Sequence, residues 1–582
     1  MCPPCLSLSH DRGNWRTGFR LQQPPRSAAF WDPSMNGIEA IAAILKTEGV
    51  DWLACYPSNP LIEAAAQVGI RPINFRHERG AVMAADGYSR TSGRQRFGVV
   101  GVQSQAGAEN AMGGIAQAYA DNVPILVLPG GVNLDQLAVK PNFSAASNYQ
   151  GIVKRVEAIY RPDQVSAVMR RAFHALRNGP PGPVVVEMLT DVCDQEVPES
   201  ALDYRPPPLM RQVPAEADID EAVKELLRAE KPVIWAGGGV LLAGASAALR
   251  ELAELTGIPV FCTMPGKSAL DERHPLCLGA GSRATTLPAH RWLQECDLLL
   301  AIGSSLTRGP YCQIILPGKV IIQNSIDADD INKDESVDIG LVGDARLTLE
   351  AMIESLRRQV GDGRSERSRQ TAAEIAACRK PWLDEWMPLL TSDEEPLNTY
   401  RVIHDIDRTL DWENSIVTHD AGAPRDSIVP FYTATVPNSY IGWGKTTHLG
   451  FGLPLMIGAK LAHPDKFCLN LMGDGAFGMS GLDLETAVRA KAPITTVLLN
   501  NGGMATYPPG NFSTARERFG VSHMVGDYAK IAEGLGAVGI IVTKTAEMVP
   551  ALKRAQRLNA DGQTVLIDVH SNLESRRSRW DR

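Results

Sequence analysis

KFCLNLM (466–472), GDG (473–475), a helical pattern over 482–491, ITTVLL (494–499) and NN (500–501) read as one strand–turn–helix–strand unit. The first apolar run has the length of a buried strand, the two glycines give a tight turn, and Ser480 sits in an N-cap position. A crossover of this kind makes the two strands parallel. Asp474 and Asn501 then leave the same carboxyl edge of the sheet, where open α/β folds bind ligands. If the strands are neighbours, at about 4.8 Å, the two side chains converge on one ion. A carboxylate and a carboxamide oxygen suit Mg²⁺, which takes few protein ligands and completes its shell with water and phosphate oxygens. Gly473 and Gly475 let backbone N–H groups approach that phosphate, and the helix points its positive end at it. Gly361-Asp362-Gly363 repeats the tripeptide without a preceding strand or a following Asn-Asn, and is assigned no function.

Working outward, β-branched runs alternate with helical patterns over most of the chain, which predicts an α/β fold of three consecutive doubly wound parallel-sheet domains. In the first block, 35–200, the runs 97–102 (FGVVGV), 123–128 (VPILVL) and 184–189 (VVVEML) are strands, with helices over 80–90 and 108–119. The second block, 215–352, follows the prolines at 206–208 and is Rossmann-like. Its strands include 232–236, 258–263, 298–302 and 320–323. The turn Gly237-Gly238-Gly239 lacks the full dinucleotide fingerprint and reads as a plain strand-to-helix turn before it reads as a phosphate cradle. Residues 357–397 form a linker with one helix, 398–572 the third block, and the end 575–582 (SRRSRWDR) a solvated, disordered tail.

A chain of 582 residues exceeds what one core serves. A hydrophobic share of 44% is ordinary, and no apolar run approaches the roughly 18 residues of a membrane span. The net charge of −8, without a Lys/Arg block, argues against nucleic-acid and membrane partners and for a small molecule. Ten scattered cysteines form no secreted disulfide framework, so a cytoplasmic location is expected. Because a helical pattern starts at Met35, residues 1–34 read as a disordered extension or a mis-called start, with an Arg-rich transit peptide as the other reading.

GDG followed by NN at this spacing resembles the diphosphate-binding motif of thiamine-diphosphate enzymes. The likeness runs from Met35 to about Asn572 and is nearest to the acetolactate synthase large subunit. It implies a pyrimidine-binding first domain, a middle domain and a diphosphate-binding third domain. It also implies thiamine diphosphate and Mg²⁺ as cofactors, with Asp474, Asn501 and Gly503 on the metal. Gly473, Gly475, Ala476 and Met504 would lie against the cofactor. The stretch from Arg76 to Tyr88 resembles the family's segment around a catalytic glutamate, which makes Glu78 the group that shares a proton with the aminopyrimidine ring. A carboxyl desolvated in a closed cleft suits that task. Without the resemblance, Glu78 reads as a helix-start charge.

Three more stretches carry the same likeness. SQAGAEN (104–110) resembles the pyrimidine loop, with Gly107 and Asn110 matching and Gln105-Ala106 standing where Gly-Pro is common. HLGFGLP (448–454) resembles the segment whose apolar residue, here Leu449, wedges the cofactor into its bent form; on pattern alone Leu449 is a core residue. THDAG (418–422) resembles the Asp-x-Gly turn beside the diphosphate and nominates Gly422.

For the reaction, the resemblance implies a 2-oxo acid or acyl substrate, decarboxylation and carboligation, and a homodimer or homotetramer with the cofactor at the subunit interface. Gly266-Lys267, His274-Pro275-Leu276 and 326–345 match the synthase pattern. Ser144 after Phe143, and Gly502-Gly503-Met504 with Tyr507-Pro508-Pro509, look more like an oxalyl-CoA-type decarboxylase. FAD on the middle domain stays open, and with it a flavin-dependent oxidase, because relatives with and without flavin share that fold.

Overall fold

A computed structural model of the chain describes residues 35–361, 367–507 and 510–580. The expected extension 1–34, the aspartate and second glycine of the 361–363 tripeptide, and Pro508-Pro509 lie outside the described residues. Three six-stranded sheets follow one another along the chain, each wholly parallel. The first holds β1 Trp52–Cys55, β2 Arg71–Asn74, β3 Gly98–Val102, β4 Ile125–Gly131, β5 Arg155–Ile159 and β6 Val184–Leu189, in the order β2-β1-β3-β4-β6-β5. The second holds β7 Pro232–Ala236, β8 Val260–Thr263, β9 Cys277–Gly281, β10 Leu298–Ile302, β11 Val320–Ser325 and β12 Ile339–Val342, in the order β12-β11-β10-β7-β8-β9. The third holds β13 Ser415–His419, β14 Tyr440–Ile441, β15 Phe467–Gly473, β16 Thr495–Asn500, β17 Val538–Val542 and β18 Val565–His570, in the order β14-β13-β15-β16-β18-β17. Helices cover both faces of such sheets, so central strands such as β3 and β10 are apolar and buried along their whole length.

Winding that starts in the middle of a sheet, goes one way and then crosses back leaves a crevice where the order reverses. In the third sheet that point lies between β13 and β15, and in the second between β7 and β10. The first and third domains join through the helices Glu78–Thr91 and Gly452–Ala462. A Cβ on Gly87 would lie 2.0 Å from the Leu455 carbonyl and one on Gly458 1.8 Å from that of Ala84. The two backbones touch directly, and that contact fixes how the helix beginning at Glu78 meets the third domain.

Two expectations change. The helix expected over 482–491 is present as Asp483–Arg489, but a further short helix, Asp474–Ser480, stands where only a turn was expected. Gly473 is the N-cap, so Asp474 opens the first helix and Ser480 ends it instead of capping the next. The tail is docked rather than solvated. Ser578 is buried, exchanges backbone and hydroxyl hydrogen bonds with Thr285 at 2.8 and 2.6 Å, and accepts from the Trp382 indole at 3.0 Å. Trp580 stacks on His290 of the middle domain. Charge composition missed this because the arginines find local partners, Arg576 on Glu385 and over Trp386.

Candidate active site

β15 and β16 are neighbours in parallel register, with Gly473 opposite Leu499. Asp474 therefore emerges at the switch-point crevice beside Gly422, which follows β13, and Asn501 emerges one strand further on. Asp474 is 4% exposed. Its Oδ1 accepts the N–H of Gly475 at 2.7 Å and its Oδ2 that of Gly502 at 3.0 Å, which ties the two strand ends together. Burial raises this carboxyl above the usual aspartate value, against the pull of those N–H donors. No Lys, Arg or His forms an ion pair with it among the described residues, so its charge is left for a cation. Asn501 Oδ1 accepts from Gly503 N at 3.1 Å, which turns the carboxamide back over the loop and leaves the oxygen's second lone pair open. Asn500, by contrast, is structural: it donates to Asp568 at 3.0 Å and to the Gly526 carbonyl. Among the described residues no group of three or more His, Cys, Asp or Glu could hold a metal. One carboxylate with amide and carbonyl oxygens suits a hard ion that keeps its waters and phosphate.

Around this pair, Gly475 lies against Met524 and Ala476 is buried. Gly422, at φ 83°, lies against Thr506 Oγ1 in the loop that follows Asn501, while Gly503 faces Ser522 and Leu573. Met504 and Leu449 are each about 40% exposed, at 40% and 39%. Leu449 is held by Asp420. The Oδ1 of that fully buried carboxylate accepts Ala421 N at 2.8 Å and Gly450 N at 3.0 Å, and its Oδ2 accepts Gly452 N at 2.8 Å. Burial pushes the Asp420 carboxyl up to about 6. Behind it, the His419 ring stacks on Trp443 and is pushed down to about 3 by burial and the nearby Arg425 cation, so it stays neutral.

Glu78 opens its helix behind the N-cap His77 and is 4% exposed. Its Oε2 accepts from Asn110 Nδ2 at 3.1 Å, and a Cβ on Gly107 would stand 3.4 Å from its Oε1. Glu78, Gly107 and Asn110 are thus one cluster in the first domain. No hydrogen bond or ion pair joins Glu78 to the third domain among the described residues. Its neighbour Arg79 makes that connection, donating to the Met479 carbonyl at 3.1 Å and reaching that of Leu449 at 3.5 Å. Asp483 fastens the approach to Glu78 by accepting Arg76 N at 2.9 Å.

Residues 35–153, 219–352 and 420–569 match the patterns for "Thiamine pyrophosphate enzyme" N-terminal TPP binding, central and C-terminal TPP binding domains. The "Probable acetolactate synthase large subunit" of Methanococcus aeolicus is 31% identical over 93% of this chain and 93% of its own length. The chain belongs to the thiamine pyrophosphate enzymes. The protein of the same name from Methanocaldococcus jannaschii is 30% identical over 92% of each chain. The "Acetolactate synthase isozyme 3 large subunit" of Escherichia coli is 28% identical over 92% of this chain and 94% of its own.

In this thiamine pyrophosphate enzyme the residues chosen from sequence fall into two groups. Asp474, its flanking glycines, Ala476, Asn501, Gly503, Met504, Gly422 and Leu449 surround the third-domain crevice, and Glu78, Gly107 and Asn110 gather in the first domain. The sequence reading passed over Asp420, choosing Gly422 from the same stretch. A charged residue directly after the apolar run of β13 was the available signal. It also passed over Arg79, Gln117 and Asp121, whose partners lie more than 300 residues away in sequence.

Proposed function

We propose that this thiamine pyrophosphate enzyme binds its cofactor, which is thiamine diphosphate, through Mg²⁺ and decarboxylates a 2-oxo acid, passing the fragment to an acceptor in an acetolactate-synthase-like carboligation. The observation that carries the reading is a buried carboxylate, Asp474, with no cationic partner among the described residues, joined to the Asn501 turn at the switch-point crevice. Asp474, Asn501 and the backbone at Gly503 would hold the metal, and Gly473, Gly475, Ala476, Gly422 and Met504 would surround the diphosphate. Leu449, set by Asp420, would support the bent cofactor. Glu78, oriented by Asn110 and given room by Gly107, would exchange a proton with the pyrimidine ring. Bound thiamine diphosphate supplies the electron sink for cleavage beside a carbonyl.

A homodimer or homotetramer in the cytoplasm, with the cofactor at the subunit interface, completes the proposal. Its support is the uncovered apolar rim of the crevice: Leu449, Met479, Leu482, Met504 and Leu573 are all exposed in one chain. No helix among the described residues is long and apolar enough to cross a membrane.

A specific observation favours a second reading, decarboxylation without ligation. Both first-domain departures from the synthase pattern are spent on holding loops. Gln105 donates to Asn142 at 3.1 Å and accepts Phe143 N at 2.9 Å, and Ser144 donates to Glu187 at 2.8 Å. Neither side chain is left for an acceptor substrate.

The middle domain contains a cavity of about 220 Å³ at its own switch point, walled by the 237–239 turn, Gly303, Ser325 and Asp327. A glycine-walled crevice at a switch point is where open α/β sheets take dinucleotides, and FAD is the proposed occupant. A flavin oxidase would also use it.

The test begins with denatured protein, which should release thiamine diphosphate, and with a chelator, which should abolish activity until Mg²⁺ is restored. Activity indifferent to both would refute the proposal. Mass spectrometry of products from pyruvate, benzoylformate and oxalyl-CoA then separates ligation from simple decarboxylation, and flavin absorbance in purified protein tests FAD.

A further inference from the structure

Arg425 stands where a loop from the carboxyl edge of the second sheet meets a helix from the carboxyl edge of the third. It is the third residue of the helix Ala423–Ile428, which opens directly after Gly422. Helical side chains lean toward the N-terminus of their helix, so this one reaches back toward the Gly422 turn at the switch-point crevice. From the other side Tyr311, in the loop between β10 and β11, covers the guanidinium, with its ring centroid 4.2 Å from Arg425 Cζ. Tyr311 lines the middle-domain cavity and Arg425 does not, so the ring stands between the guanidinium and that cavity.

The hydrogen bonding of this cation is incomplete. Its Nε donates to Asp426 Oδ1 at 2.8 Å, while Nη1 is closed to solvent and has no partner among the described residues. The whole residue is only 2% exposed. The other buried cations among the described residues are satisfied: Lys267 donates to Glu272 and to the Tyr432 carbonyl at 2.7 Å, and Lys460 to the Lys466 carbonyl at 2.7 Å. Unpaired N–H groups on a buried cation are costly, and a guanidinium covered by an aromatic ring keeps the free edge of its plane for a planar carboxylate.

A carboxylate lost as CO₂ gives up its charge on the way to the transition state, so a buried cation on it would favour the substrate over the transition state and slow the cleavage. A carboxylate that stays keeps its charge throughout, and Arg425 can hold it without that penalty. We infer that Arg425 anchors a carboxylate that survives the reaction, either a second acidic group on the 2-oxo acid that is cleaved or the carboxylate of a 2-oxo acid acceptor. The inference rests on the proposed 2-oxo acid chemistry and adds the charge that the retained part of the substrate carries.

Protein loaded with thiamine diphosphate and Mg²⁺ is assayed with two matched pairs. As donors, 2-oxoglutarate is set against its 5-methyl ester; as acceptors beside pyruvate, 2-oxobutyrate is set against propanal. In one pair the acid should be preferred by about 10- to 100-fold in kcat/KM, the weight of charge-assisted hydrogen bonds to a buried cation, and that pair identifies the source. Arg425→Gln should erase the preference through KM rather than kcat, because the contact is the same in substrate and transition state. Arg425→Lys should recover part of it. Thiamine diphosphate affinity, read by calorimetry, should stay within a few-fold of native in both variants. No preference in either pair, a preference that persists in Arg425→Gln, or loss of cofactor affinity in that variant overturns the anchor and leaves the 2-oxo acid reading standing. If no 2-oxo acid is turned over at all, that reading fails and the inference with it.

Discussion

The Oδ2 of Asp420 accepts the N–H of Gly452 at 2.8 Å while its Oδ1 takes that of Gly450, so one buried carboxylate brackets the turn that presents Leu449. This holds the turn from behind, without contact with the solvent side of the crevice. An Asn in its place presents one oxygen and one NH₂ group to donors on both sides, and the NH₂ must face an N–H. Asp420→Asn should weaken thiamine diphosphate binding by about tenfold, the cost of roughly one lost hydrogen bond of this class, and lower turnover as Leu449 drifts. Calorimetric titration with the cofactor checks it; unchanged affinity would separate the turn from cofactor binding.

The role proposed for Glu78 is proton exchange rather than holding the cofactor; its partners are Asn110 and its own N-cap His77. Glu78→Gln keeps the shape and the hydrogen bond to Asn110. It should bind thiamine diphosphate within a few-fold of the native affinity and lose about 10²- to 10⁴-fold in turnover, the usual weight of general acid–base help. Near-native rates would remove Glu78 from the chemistry.

Which parts of this site were readable in the sequence follows from the range of the interactions. The 466–501 unit was legible because strand, turn and neighbouring strand are contiguous, and parallel winding dictates that Asp474 and Asn501 share an edge. Its interior was misread at Ser480, which ends an additional short helix opening at Asp474 instead of capping the expected one that starts at Asp483. Glu78 was chosen through its family resemblance; nothing in its local spacing sets it apart from an ordinary helix-start acid. The anchoring of Gly444 and Lys445 could not be read at all. Asp121 meets Gly444 across more than 300 residues, and no period or motif announces a carboxylate that waits for two backbone N–H groups. The docked tail was hidden likewise, because the pocket for Ser578 is built from Thr285 and Trp382.

His419 gives the protein an acid sensitivity of predictable sign. Its folded pKa, pushed down to about 3 by burial and Arg425, lies below the ordinary histidine value near 6.5. Between those values the unfolded chain binds the extra proton, so stability is complete above about 6.5 and falls as pH drops. From pH 7 to pH 5 the native protein should lose about 2 kcal/mol more than His419→Gln, at about 1.4 kcal/mol per pH unit below 6.5. Denaturant titrations at the two pH values test the difference. Parallel losses in both proteins would mean that the ring takes up its proton in the fold as readily as in the unfolded chain.

The proposed interface site makes its own prediction about mixed oligomers. Glu78 makes no hydrogen bond or ion pair to its own third domain among the described residues, although Arg79 beside it does. If a cofactor lies between the Glu78 of one subunit and the Asp474 of another, a heterodimer of Glu78→Gln and Asp474→Asn chains holds one doubly altered site and one intact site. Each variant alone should be nearly inactive. Equal amounts, refolded together, should recover about a quarter of native activity, because half the twofold-symmetric dimers are mixed and each carries one good site of two. Were each chain to pair its own Glu78 with its own Asp474, every site would carry a defect and mixing would restore nothing. Activity after co-refolding, with the dimer fraction checked by sedimentation, decides between the two arrangements.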